Sequence, residues 1–209
     1  SLKRQITVTP NQKKAKLFND IASSYFNYSL DSGLFYALRA ADMATNAKQY
    51  SQLATAYSFA GQYYYYQSNY ISSIKSFNKS YDAAVAANDK SKTIHAINNV
   101  ANVLIDQGKT AQAIERYEKV VALSTQYDDK KNLALGYNNL AYVYRASGNY
   151  DQAAEYLFKK IKIDEKQNNK DGLANGFQQL GMIYLYKKDY KNAFKYLEPS
   201  YSLFAQLGN

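Results

Sequence analysis

The feature that most constrains this chain is a sequence pattern that recurs every 40 residues without an insertion. A pair of apolar or small residues marks each copy, at Ala60-Gly61, Val100-Ala101, Leu140-Ala141 and Leu180-Gly181. The loops keep the same step, at Asn88-Asp89-Lys90, Asp128-Asp129-Lys130 and Asn168-Asn169-Lys170. Four copies in phase indicate an internal repeat, a fold in which each unit buries its apolar face against its neighbours.

The clearest copy, residues 137–163, reads as two amphipathic helices joined by one tight turn. Apolar residues recur at the spacing of one helical face, first at Tyr137, Leu140, Ala141 and Tyr144 and then at Ala153, Tyr156, Leu157 and Ile161. Between the two sets, Gly148 can adopt a positive φ at little steric cost and so ends the first helix. We expect Asp151 to open the second helix, because a carboxylate is favoured near a helix N-terminus.

These residues resemble the tetratricopeptide repeat (TPR) family. The residues that carry the resemblance are Tyr137, Leu140-Ala141, Tyr144, the turn residue Gly148, Tyr150, Ala153 and Leu157. It extends over about four full repeats and a degenerate first one. The period of 40 exceeds the usual 34, and Lys160 and Lys188 stand where the family has a small residue and the turn glycine. The resemblance is therefore to a longer-helix branch that is common in bacterial signalling proteins and peptide-sensing regulators.

We predict an all-α fold, a right-handed α-solenoid of about five TPR-like helical hairpins. Residues 1–12 are predicted to be a tail or linker, because they lack a helical period and end near Pro10. Residues 13–209 are predicted to form one array, with a first helix over residues 13–27. The approximate repeats are 13–49, 50–89, 90–129, 130–169 and 170–209.

The chain offers little of the chemistry that an enzyme needs. It has no cysteine and a single histidine, His95, and it contains neither a phosphate-binding loop nor a GxSxG elbow. We therefore predict no catalytic activity, no metal site and no cofactor. No apolar run is long enough to span a bilayer. The favoured location is an extracytoplasmic (periplasmic) segment of a membrane-anchored protein, and the alternative is the cytoplasm.

The last predicted helix is unusually apolar. It carries Tyr201, Leu203, Phe204 and Leu207 without a polar cap, and Gly208 falls where a further repeat would begin. Solenoids need polar terminal surfaces for solubility. We therefore expect that the natural protein is longer, or that this helix is covered by another molecule, such as a second copy in a homo-oligomer.

A second face of the first helix of each hairpin is the candidate binding surface. If Leu140 is position 7 of its repeat, then positions 4, 7, 8 and 11 form the packing face, and positions 2, 5, 6, 9, 12 and 13 share an opposite arc of about 120°. This arc would line the concave surface. The candidate peptide-binding residues on it are Gln62, Tyr65, Tyr66, His95, Asn98, Asn99, Asn102, Asn138, Asn139, Tyr142, Arg145, Gln178, Gln179 and Met182.

Amides interleaved with aromatic rings suit a peptide, because an amide both donates to and accepts from a backbone and a ring supplies rigid contact area. The resemblance implies this role at Asn98, Asn102 and Asn138, by analogy with kinesin light chains and peptide-sensing regulators. An alternative is that these amides only bridge neighbouring repeats. The carboxylate clamp of chaperone-binding arrays is not matched, since position 5 is never lysine.

The net charge of +9 favours acidic partners. The lysines, including Lys159, Lys160 and Lys162, are interpreted as a solvated face, so nucleic acid is an unfavoured partner. Stacking of a sugar or a base on Tyr65 and Tyr66 is a lesser alternative. The sequence thus predicts a non-catalytic module that binds protein or peptide, as the sensing or interaction region of a larger bacterial signalling protein. The alternative is a structural scaffold or adaptor for assembly or homodimerisation.

Overall fold

A computed structural model describes residues 10–208 of the chain. These residues form ten α-helices and no strand. The helices are α1 (Asn11–Ser24), α2 (Leu30–Asn46), α3 (Tyr50–Tyr66), α4 (Tyr70–Ala86), α5 (Lys90–Asp106), α6 (Thr110–Gln126), α7 (Lys130–Ala146), α8 (Tyr150–Lys166), α9 (Lys170–Tyr186) and α10 (Tyr190–Leu207). The prediction of an all-α array of about five hairpins is confirmed, and from α3 onward each helix starts 20 residues after the one before it.

The turns explain this strict step. A residue with positive φ follows the helices α2 to α10 at intervals of 20, at Lys48, Ser68, Asn88, Gly108, Asp128, Gly148, Asn168, Lys188 and Gly208. At the turns between helices the next N–H bonds back five residues, as in Asn149 to the Tyr144 carbonyl at 2.8 Å and Asp189 to the Tyr184 carbonyl at 2.9 Å. This is the Schellman geometry, which satisfies the last carbonyls of a helix. The left-handed residue is therefore required at every turn, glycine or not.

At the turns between helices, the residue after the left-handed position is the N-cap of the next helix. Asn69, Asp89, Asp129, Asn169 and Asp189 each accept a hydrogen bond from the backbone N–H three residues on, at 3.0 to 3.1 Å. These are N-cap interactions that supply one of the partners missing at a helix start. In the central repeat the cap position is Asn149 and the helix begins at Tyr150, so Asp151 lies in the first turn rather than opening the helix.

The N-terminal hairpin differs from the others, as its sequence suggests. Pro10 precedes α1, which begins two residues before the predicted helix and ends at Ser24, three residues early. Ser29 ends the connecting turn, because its hydroxyl accepts the Ser32 N–H at 3.2 Å and starts α2. Most of the predicted tail, residues 1–9, lies outside the described residues.

The described chain divides into two compact units, one ending at Arg116 and the other starting at Tyr117 within α6. In the first unit the deepest aromatic side chain is Tyr63, which is fully buried and donates its hydroxyl proton to the Ala22 carbonyl. Burial raises the pKa of Tyr63. The ring fits because Gly33 faces it, and a Cβ there would lie 2.1 Å from the Tyr63 ring. Position 11 of the predicted packing face is Tyr64 in this repeat, but Tyr64 is only half-buried.

In the second unit a buried ion pair within α8 hydrogen-bonds to the first turn of α9. The Lys160 Nζ donates to Asp164 Oδ2 and to the Gly172 carbonyl, both at 2.7 Å, and Asn169 donates to Asp164 Oδ1 at 2.8 Å. Lys160 and Asp164 are only 8% and 2% exposed. The interpretation of Lys160 as part of a solvated face is therefore wrong. Gly172 on α9 leaves room for its partner, because a Cβ there would lie 2.5 Å from Asp164 Oδ1.

The outer face of α10 carries exposed aromatic side chains. Tyr190, Phe194 and Tyr201 lie mainly in solvent. Of the apolar residues noted in the sequence, Tyr201 and Leu207 are exposed, whereas Leu203 and Phe204 are half-buried. The covering of this face by another molecule stays a prediction.

Candidate functional site

Two adjoining cavities lie between α3 and α5 in the first unit. The first, of about 270 Å³, contains the N-terminal part of both helices, including Thr55 and His95. The second, of about 290 Å³, lies toward the C-terminal ends and contains Tyr65 and Asn102. Gln62 and Asn99 line both cavities, so the two cavities adjoin, and we call them together the α3–α5 groove.

The groove combines polar side chains with an apolar wall. Hydroxyl and amide groups come from Thr55, Ser58, Gln62, Asn99 and Asn102. Apolar contact surface comes from Phe59, Phe77, Tyr66 and Val103. From residue 55 to residue 66 a helix rises about 17 Å, which is the length of roughly five extended peptide residues. The arrangement can hold a short extended chain, hydrogen-bonding its backbone and packing against its side chains.

A hydrogen bond holds the tyrosine at the C-terminal end of the groove. The Tyr65 hydroxyl donates its proton to a carboxylate oxygen of Asp106, the last residue of α5. This hydrogen bond, reinforced by burial and by the Asp106 charge, raises the pKa of Tyr65 to about 12. Tyr65 also packs edge-on against Tyr66, with ring centroids 5.3 Å apart. The bond ties α3 to α5 and fixes the aromatic wall.

A charged cluster lies at the N-terminal end. The Lys92 Nζ donates to Asp89 Oδ2 at 2.5 Å and to the Ser51 hydroxyl at 3.0 Å. Burial raises the pKa of the Asp89 carboxyl, but hydrogen bonds from Lys92 outweigh it, and the net pKa is lowered. Lys92 lines the groove, so this end carries an ammonium group whose position is set by the N-cap of α5.

The structure brings together six of the predicted site residues in the α3–α5 groove. They are Gln62, Tyr65, Tyr66, His95, Asn99 and Asn102. Asn98, by contrast, is only 6% exposed. Helical phase alone placed Asn98 (position 5) and Asn99 (position 6) on the same binding face. In this repeat, however, Asn98 turns inward and Asn99 lines the groove.

The predicted residues of the second unit have a different setting. The Gln179 amide donates to Asn138 Oδ1 at 2.9 Å and so bridges α7 and α9, which is the bridging alternative for these amides. Arg145 lies 5.6 Å from the centre of the Tyr142 ring. Asn139 is half-buried, whereas Gln178 and Met182 are exposed. None of these residues lines the α3–α5 groove.

Sequence reasoning missed several groove residues, including three that lie outside the arc of the first helix that it considered. Phe77 and Ser80 come from α4, the second helix of the hairpin, and Lys92 comes from the first turn of α5. The prediction considered only the first helix of each hairpin and only one arc of it. The 40-residue register aligns Phe77 with packing residues such as Leu157, so the period alone gives no signal that its ring reaches the groove.

Within the described residues, no cluster of His, Asp or Glu side chains gathers that could hold a metal ion. None of the helices from α1 to α10 is both long and apolar enough to cross a bilayer.

Solved structures with the same architecture show how far the likeness extends. The crystal structure of the apo form of RapI matches with a TM-score of 0.81 at 17% identity, over 93% of this chain and 71% of that one. Aspartyl phosphate phosphatase F from Bacillus subtilis matches with a TM-score of 0.73 at 16% identity, over 97% of this chain and 62% of that one. A kinesin light chain with nearly identical TPR-like repeats from Podosopora anserina matches with a TM-score of 0.74 at 14% identity, over 94% of this chain and 97% of that one. At these identities the likeness shows the fold alone.

Comparison with curated proteins finds no match to this sequence. Two family models, each described as a tetratricopeptide repeat, match residues 92–166 and 174–206. The matched segments contain the hairpins whose turns and packing are described above. Together with the helical hairpins of the fold, they show that the chain belongs to the tetratricopeptide repeat family.

Proposed function

We propose that the chain is a peptide-binding module and that the α3–α5 groove is the surface that binds a short extended segment of a partner protein. The observation that carries this proposal is that the two adjoining cavities share the Gln62 and Asn99 side chains. Each cavity is smaller than the roughly 300–1,000 Å³ of a small-molecule site. Each therefore suits one side chain of a peptide better than a whole small ligand.

The side chains supply the interactions that such a peptide needs. The Gln62 and Asn99 amides can donate to a peptide carbonyl and accept from a peptide N–H without selecting a sequence. Phe59 and Phe77 provide apolar walls for its side chains. Because Lys92 is paired with Asp89, it adds a hydrogen-bond donor rather than a net charge at one end of the groove.

Peptide binding of this kind is what a sensing region requires, and we propose that the chain serves as the interaction region of a larger bacterial signalling protein. The alternative is a scaffold whose amides only hold repeats together. The Gln179–Asn138 bridge favours that role in the second unit. The apolar face of α10 would let such a scaffold join a second copy. No feature of the groove suggests catalysis.

Selection of a random peptide display library on the immobilised chain tests the proposal. We expect peptides of about five contacting residues that bind the parent chain and lose affinity in a Gln62→Ala/Asn99→Ala variant. The matched control is Gln112→Ala/Gln152→Ala, which removes two exposed amides from second helices and should change nothing. Selected peptides that bind all three proteins equally would contradict the groove and favour the scaffold.

A further inference from the structure

A separate cavity lies in the second unit, between the start of α7 and the end of α8. Its volume is about 250 Å³, and its floor is apolar, formed by Leu133, Tyr137 and Ile163. The polar side chains around the floor are Lys130, Lys159, Lys162, Lys166 and Gln167. Four ammonium groups therefore surround one apolar depression, which we call the lysine-rimmed pocket. None of its residues belongs to the α3–α5 groove.

The charges of this rim are only partly neutralised within the chain. Lys130 pairs with Asp128 at 2.5 Å, and Lys159 pairs with Glu155 at 2.6 Å. Among the described residues, no carboxylate lies within 4.0 Å of Lys162 or Lys166. These two lysines are one turn apart on α8, and like charges at this spacing destabilise a helix slightly. An anion between them would relieve that repulsion.

Packing of the hairpin does not require these lysines. Forty residues on, the floor is repeated as Leu173, Phe177 and Leu203, while three of the lysines are replaced by Pro199, Ser202 and Gln206. The same apolar positions are thus compatible with a neutral rim. Lys166 lies in the last turn of α8, where a cation interacts favourably with the helix dipole. Lys162 lies one turn earlier and has no such role.

We propose that the lysine-rimmed pocket is a second binding site, and that its ligand is an acidic peptide segment carrying one large apolar side chain. The apolar side chain would enter the depression over Leu133, Tyr137 and Ile163. Carboxylates on either side of it would pair with Lys162 and Lys166. Both interactions are needed, because exposed ion pairs contribute little alone and a single buried side chain gives no charge selectivity.

The shape of the pocket favours a peptide over a membrane surface. Proteins that lie on a bilayer insert protruding apolar residues beneath a basic face. Here the order is reversed, because Leu133 is only 8% exposed and lies below the lysines. A flat bilayer cannot reach this floor, whereas a side chain that projects from a peptide can.

The test uses the full chain and a fluorescent peptide with a phenylalanine between two glutamates on each side, followed by anisotropy. Two comparison peptides replace the phenylalanine by serine or the glutamates by glutamine. The variant Lys162→Gln/Lys166→Gln removes the unpaired rim charges. The control Lys191→Gln/Lys195→Gln removes the same charge from another i, i+4 lysine pair, on α10 of the same unit.

We expect the parent peptide to bind, and both comparison peptides to bind more weakly. The rim variant should lose about tenfold in affinity, and the control pair should change it less than about twofold. Equal losses in both variants would overturn the proposal in favour of a non-specific charge effect. Indifference to the central phenylalanine would also overturn it. So would binding to phosphatidylserine vesicles that depends on the rim while the peptide does not bind.

Discussion

The buried Lys160–Asp164 pair gives the sharpest test of how α8 and α9 are held together. Either single substitution, Lys160→Met or Asp164→Leu, leaves one charge buried without its ionic partner. The double variant Lys160→Met/Asp164→Leu removes both charges and keeps side chains of similar shape. The Gly172 carbonyl stays bonded within α9, and the exposed Asn169 amide can turn to water.

The expected loss in the free energy of unfolding follows from the burial of the pair. Asp164 would retain only the Asn169 amide if Lys160 were lost, and Lys160 would retain only the Gly172 carbonyl if Asp164 were lost. Removing one partner of a buried ion pair costs about 3–5 kcal/mol. Replacing both by apolar residues of similar volume is often neutral or stabilising. We therefore expect each single variant to lose about 3 kcal/mol or more and the double variant to lie within about 1 kcal/mol of the parent.

Urea unfolding, monitored by circular dichroism, measures the free energy of unfolding of the parent and of each variant. Hydrogen exchange of the amides in α8 and α9 reports the local effect, since repeat proteins need not unfold in two states. Losses below about 1 kcal/mol in both single variants would show that the pair is solvated and refute the buried contact. A double variant as unstable as the single ones would refute the argument that the charges, rather than the volume, set the cost.

Three further predictions concern turns, ionisation and packing. Lys188→Gly should stabilise the chain by about 0.5–1 kcal/mol in thermal or urea unfolding, because Lys188 has a φ of 58°. Gly148→Ala, at a site with no atom within 4 Å of a Cβ, should cost about 1 kcal/mol; no change in either would contradict the strain argument. Asp106→Asn should lower the pKa of Tyr65 from about 12 toward 10, as read by ultraviolet titration of each protein against its Tyr65→Phe counterpart. Because the folded pKa is raised, the Tyr65–Asp106 contribution to stability is present below pH 10 and is lost as the pH rises toward 12; an unshifted Tyr65 would refute the bond. Ala141→Arg should lower the melting temperature sharply, because Ala141 lies in the core at 1% exposure, and an unchanged melting temperature would refute the repeat register.

The sequence alone determined the local features of this protein. The 40-residue period, the helical hairpins and the start of each repeat at residues 50, 90, 130 and 170 follow from apolar spacing and turn chemistry. These signals depend only on neighbours within one or two helical turns, so they can be read along the chain. The same spacing located the part of the groove built from Gln62, Tyr65, Asn99 and Asn102.

Contacts between residues far apart in the chain were decided only by the tertiary structure. Helical phase shows the direction of a side chain but not the shape of the surface that it meets. Tyr63 is buried because Gly33 on α2 makes space for its ring. Asn138 bonds to Gln179, 41 residues away. Lys160 looks like one more surface lysine until α9 brings Gly172 against it, because burial depends on the volume that a neighbouring helix leaves empty.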